Sequence, residues 1–145
     1  MPTLNYAKHY ETLMAVVTHL AVNKWALRQP QGIAKDLSID VKSVRTVLNT
    51  FKSLFRESVK KSSDHGDHFY SLHLRHSKQA ADDTEVERAA LDAEYFFPLL
   101  DYISKKSIQE TQQNVALKAA LIAAAVSLIA SLASLAAVIF AKKIS

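Results

Sequence analysis

From Ala119 to Ala141 the chain runs for 23 residues, AALIAAAVSLIASLASLAAVIFA, without a charge, a Gly or a Pro, bracketed by Lys118 and by Lys142 with Lys143. As a helix rising about 1.5 Å per residue it is roughly 34 Å long, enough to cross a hydrocarbon core of about 30 Å. The alternative, a core helix of a soluble bundle, needs cover on every face, and the rest of the chain is too small to give it. The segment therefore reads as a transmembrane helix. Only Lys142 to Ser145 follow it, and the amino-terminal MPTLNYAKHYETLM has no basic flank leading into an apolar run, so no cleavable secretory signal is visible. The expected topology is a single-pass tail anchor with the amino-terminal part in the cytoplasm, at the inner membrane if the host is bacterial. The flanking lysines are nearly balanced and add little to that orientation.

Within the apolar run, Ala123, Ser127, Ala130, Ser134, Ala137 and Ala141 step by three and four residues and are all small. Such a stripe lets helix backbones approach closely in lipid, which makes it the candidate self-association face; Leu121, Leu128, Leu132, Leu135 and Ile139 suit lipid on the other side.

Charge divides the remainder. Residues 1–78 carry 12 Lys and Arg against 6 Asp and Glu, whereas residues 79–118 carry 4 against 8. A basic domain (1–78), an acidic helical connector (79–118) and the membrane helix (119–141) with a short tail (142–145) are the expected parts. With glycines only at Gly32 and Gly66, phosphate-cradling loops, dinucleotide fingerprints and GxSxG elbows are absent. The lack of cysteine removes thiolate chemistry and cysteine zinc sites. Nothing supports an enzyme, and neither a catalytic residue nor a cofactor is expected.

Residues 6 to 29 repeat apolar side chains at helical spacing, through Tyr10, Leu13, Met14, Val17, Leu20, Ala21 and Leu27, and Pro30 is expected to close that helix. PQGIAKDLSIDVKSVRTVLNTF then places Ile33, Leu37, Ile39, Val44 and Val47 where two short helices bury side chains against each other. Ala34 is small at their crossing, and Asp40 is positioned to cap the second helix. FRESV and HFYSLHL read as strands around KKSSDHGD, with Tyr70, Leu72 and Leu74 alternating to one face and His65-Gly66 making the turn. Over about residues 5 to 78 this resembles a winged helix-turn-helix in its order of elements and in the spacing from Pro30. Ser38 departs from it, standing where many members have the turn glycine. The expected fold is thus mainly α: three helices plus a two-stranded wing, a helical connector and one transmembrane helix.

The resemblance implies a recognition helix from Val41 to about Leu54, with Val44, Val47, Leu48 and Phe51 facing inward. Its outer face presents Lys42, Ser43, Arg45, Thr46 and Asn49. In the major groove of double-stranded DNA, Arg reads guanine and Asn adenine, while Lys, Ser and Thr contact phosphates. Lys60 and Lys61 in the wing loop, with Lys52 and Arg56, extend a cationic surface whose binding weakens with salt. Winged helices also dock proteins, so a membrane-anchored adaptor or small oligomeric membrane effector is the alternative reading.

His65, His68, His73 and His76 with Asp64 and Asp67 suggest metal ligation, but the hairpin spacing does not make them converge, and no metal is expected. In the connector, DDTEVERAALDAEYFF reads as an acidic helix that Thr84 helps to start, and Pro98 is expected to kink it or begin a new one. Leu91, Tyr95, Phe96, Leu99, Leu100, Tyr102 and Ile103 either complete the core of the basic domain or form a homodimer interface, the second being preferred. SIQETQQNVALK reads as an exposed helical or flexible stalk.

Overall fold

A computed structural model describes residues 4–64, 66–79 and 87–144, with side chains as far as Ser134. It is mainly helical, with one antiparallel two-stranded sheet and a long apolar carboxy-terminal helix. Asn5 opens α1 (Tyr6–Val22), its Oδ1 accepting the Lys8 amide at 2.8 Å. The inward stripe Leu13, Val16, Val17, Leu20 and Ala21 is buried. α1 stops well short of residue 29. The Asn23 amide still bonds back to the His19 carbonyl, but the Asn23 side chain accepts the Trp25 amide and turns the chain out of the helix. Pro30 closes nothing; it opens α2 (Pro30–Leu37), a position where its missing N–H is not needed.

α2 ends on Ser38, whose φ of 54° lies in the left-handed region. The Ser38 amide reaches the Lys35 carbonyl and the Ile39 amide the Ala34 carbonyl, the paired bonds of a Schellman turn. Asp40 then caps α3 (Val41–Thr50), Oδ2 accepting the Ser43 amide at 3.0 Å. α3 is shorter than expected and leaves Lys52 in the turn that follows. Ile33, Val44, Val47, Leu48 and Phe51 are buried against α1, with Leu37 and Ile39 packed at the margin.

β1 (Phe55–Lys61) and β2 (His68–Leu72) pair from Phe55↔Leu72 to Lys61↔His68, with an irregularity between Glu57 and Lys61. The turn closes through the Ser62 amide on the Asp67 carbonyl and needs Gly66, whose φ is +67°. His65 lies outside the described residues. Lys60 and Lys61 are on β1 and not in the loop. Both backbone polar groups of Tyr70 bond to Arg28, so β2 is paired on both edges. Beyond Leu72 the strand pattern fails: His73–Lys78 is a helix, α4, and Leu74 belongs to it.

The acidic helix is also displaced. Thr84 lies outside the described residues, and residues 87–92 are not helical. They run beside the end of α1, the Arg88 amide on the Lys24 carbonyl and the Leu91 amide on the Ala21 carbonyl. α5 (Ala93–Ile144) begins there and runs through Pro98, so no new helix starts at that proline. Leu91 and Ile103 are buried, and Tyr95, Phe96, Leu99 and Leu100 pack on the same core. Tyr10 and Ser104 share a hydroxyl hydrogen bond at 3.0 Å, and Tyr6 meets both Phe51 and Tyr102 edge to face. Those apolar residues complete the core of the basic domain, the reading that was not preferred.

Arg75 of α4 ties these parts together with no exposed surface. Its guanidinium donates to the carbonyls of Leu20, Asn23, Arg88 and Ala89 at 2.6–3.1 Å, while Nε reaches Gln79 Oε1. All five donors are thereby used, and the charge sits at the carbonyl end of α1, where a cation is favoured. Burial, helped by nearby Arg88, lowers the Arg75 pKa from its usual value.

The chain divides into two compact units, Met1–Ser107 and Ile108–Ser145. The second is helix throughout its described length, so SIQETQQNVALK is helical. From Thr111 to Ser134 every side chain is exposed. Among the described residues one helix is thus long and apolar enough to cross a membrane, and none of its most apolar window is buried.

Candidate nucleic-acid interface

α3 turns Val44, Val47 and Leu48 inward, which leaves Lys42, Ser43, Thr46 and Asn49 exposed on the opposite face. Two of these are already oriented locally. Ser43 Oγ donates to Asp40 Oδ2 at 3.3 Å, and Thr46 Oγ1 to the Lys42 carbonyl at 2.8 Å. The Lys42 ammonium has no carboxylate partner among the described residues.

Arg45 behaves differently. Its Nη2 donates to Asp67 Oδ2 at 2.6 Å, joining α3 to the turn of the hairpin. Charge-assisted bonds of this length are the stronger ones, and this pair is only partly exposed. The guanidinium therefore holds the turn against α3 and is not presented freely. The same charges act on Tyr70, whose hydroxyl pKa is raised by burial and by Glu57 and Asp67, with Arg45 opposing.

A groove of about 310 Å³ joins the α3 face to α1. Lys8, His9 and Thr12 line one wall and Lys42, Ser43 and Thr46 the other, with no acidic residue among them. The α1 residues were missed in the sequence because their helix was read only for its buried stripe. Their i, i+1, i+4 spacing on the polar side was the available signal.

The other expected contacts are dispersed. Lys52 is exposed after α3, Arg56 is half-buried on β1, and Lys60 with Lys61 lines a separate cleft against Trp25–Gln29. Lys60 and Lys61 are therefore not brought to the α3 groove. His68 is fixed inside the hairpin, Nδ1 bonding the Ser58 carbonyl at 2.8 Å and Nε2 facing Glu57. Among the described residues no group of three or more His, Cys, Asp or Glu converges.

In the tail, Ala123, Ser127, Ala130 and Ser134 lie exposed along the helix, as do Leu121, Leu128 and Leu132. Ser134 Oγ donates to the Ala130 carbonyl and Ser131 Oγ to the Ser127 carbonyl, each at 2.9 Å, so these hydroxyls are satisfied within their own helix. The side chains of Ala137, Ala141, Leu135 and Ile139 lie outside the described residues. No family model, curated protein or solved structure matches this chain.

Proposed function

We propose that the chain is a membrane-tethered DNA-binding protein, a transcriptional regulator or DNA tether whose amino-terminal unit is a winged helix. The observation that carries the reading is the acid-free groove in which Lys8 and His9 of α1 meet Lys42, Ser43 and Thr46 of α3. Cations and hydroxyl groups in one groove beside an exposed Asn49 combine phosphate contacts with a base-reading amide. The order of elements supports the fold assignment, as does the bridging of Arg28 to β2, which gives the hairpin a third short pairing segment. Ser38 in the left-handed turn does the work of the glycine it stands for.

The apolar helix tethers this unit in the bilayer, with the amino-terminal unit on the cytoplasmic side. Association through the stripe from Ala123 to Ala141 brings two such units together, so that two half-sites share one DNA. Replacing Ser127 and Ser134 with Leu is expected to lower the crosslinked dimer in lipid without altering the fold of the amino-terminal unit.

The direct test is duplex binding by the full chain in lipid nanodiscs, titrated against salt. Binding is expected to fall steeply with salt, Lys42→Ala and Lys8→Ala each lowering the slope by about one unit. Asn49→Ala is expected to weaken specific sites by roughly tenfold. Absence of duplex binding at low salt overturns the reading. The alternative, a protein-docking adaptor, draws on Val59, which stands 86% exposed on β1.

A further inference from the structure

A cleft of about 520 Å³ in the amino-terminal unit does not belong to the α3 face. It opens between the segment after α1 and the hairpin, and its volume falls in the range of roughly 300–1,000 Å³ typical of small-molecule sites. Its walls differ in chemistry. Trp25, Leu27 and Phe69 supply apolar and aromatic surface, while Lys60 and Lys61 supply positive charge. Neither ammonium has a carboxylate partner among the described residues. Arg28 also lines the cleft, but its guanidinium is held by Asp36 on α2. Gln29, Ser62, Ser63 and Asp64 complete the rim with donors and acceptors.

We infer that this cleft is a nucleotide site: the Trp25 and Phe69 rings flank a base, and Lys60 and Lys61 neutralise its phosphate. A bare anion would leave the aromatic surface unused, and an uncharged aromatic would leave two ammonium groups without a counter-charge. A nucleotide satisfies both, because every base has a π-face that stacks on aromatic rings whatever its sequence. Gln29 and Asp64 can bond the edge of a base or a sugar hydroxyl. The site is independent of the duplex-binding reading, since it shares no residue with the α1–α3 groove.

Trp25 is the sole tryptophan, so its fluorescence reports on the cleft directly. The full chain in lipid nanodiscs is titrated with adenosine monophosphate, adenosine, inorganic phosphate and a short single-stranded oligodeoxynucleotide, with correction for absorbance. The nucleotide is expected to give a saturable change, with adenosine and phosphate each weaker by about tenfold or more. Lys60→Ala/Lys61→Ala and, separately, Phe69→Leu are expected to weaken it by a similar factor. Saturation by the mononucleotide identifies a free ligand; saturation by the oligonucleotide alone identifies a strand as the source, and either supports the site. No saturable change with either, phosphate matching the nucleotide, or titrations unchanged by the lysine substitutions would overturn it. Because no duplex and no α3 variant enters the titration, its failure leaves the DNA-binding test untouched.

Discussion

α5 is one continuous helix with two kinds of surface. Up to Ser107 it is rich in aromatic and branched residues, and Ile103 has no exposed surface. Beyond Lys118 it is rich in Ala and Leu, and Ile122 and Ile129 are each 66% exposed. Helix propensity does not separate these stretches, because both are helical. What separates them is whether an apolar face has a protein partner. The first stretch carries large side chains on one face, which the core accepts; the second is apolar all round, which suits lipid on every side.

The largest effect expected to sharpen this contrast is at Arg75. Arg75→Met keeps the aliphatic bulk but leaves the carbonyls of Leu20, Asn23, Arg88 and Ala89 without their donor. The loss should be at least about 3 kcal/mol, since buried acceptors are stranded. Urea unfolding followed by Trp25 fluorescence measures it, while the ellipticity contributed by the apolar helix should persist. Arg75→Lys should fall between, because one ammonium cannot span all five partners.

Next comes a matched pair on the same helix. Ile103→Ala should cost the amino-terminal unit about 2–4 kcal/mol through lost burial and a cavity, whereas Ile122→Ala should leave its unfolding midpoint unchanged. Equal effects at the two positions would break the division between the stretches.

The sequence made much of this legible, for identifiable reasons. The buried faces of α1 and α3 and the cap at Asp40 follow from local patterns that act within a few residues. The apolar run was legible because its length and lack of charge need no tertiary information. The misread parts depend on partners distant in the chain. α1 ends early because Asn23 and Arg75 terminate it, and Arg75 lies more than fifty residues away. Residues 87–92 stay out of the helix because Ala21 and Lys24 offer them backbone partners. At the candidate site, the exposure of Lys42, Ser43, Thr46 and Asn49 followed from helical period alone. The engagement of Arg45 by Asp67 did not, since it requires the hairpin to fold back on α3.

A smaller effect concerns pH. His19 is half-buried between Asp36 and Arg28; burial, aided by Arg28, lowers its pKa below the usual 6.5 despite the opposing pull of Asp36. Above that usual value both folded and unfolded chains hold the ring neutral. As pH falls from 6.5 toward the lowered folded value, the unfolded chain takes up the proton first, so stability declines and then levels off. Wild type should therefore lose more stability on acidification from about pH 7.5 to about 5.5 than His19→Gln does. Parallel declines in the two proteins would remove His19 as the cause. The exposed apolar helix offers no titratable group between Lys118 and Lys142, so its helicity should not follow.

The smallest effect tests the turn between α2 and α3. Ser38 is exposed and holds φ at 54°, a conformation that costs a side chain roughly 1–2 kcal/mol and costs glycine little. Glycine also gives the unfolded chain more freedom to lose, which offsets about 0.5–1 kcal/mol of that gain. The net expectation for Ser38→Gly is a stabilisation of about 0.5 kcal/mol, a rise of roughly 2–4 °C in the Tm of the amino-terminal unit. Ser38→Val should move it the opposite way, because a β-branched residue fits the left-handed region worst. A fall in Tm with glycine would mean that the Ser38 side chain contributes something its exposed position does not show. A rise would make the serine a tolerated strain, one that the paired bonds to Ala34 and Lys35 are strong enough to hold.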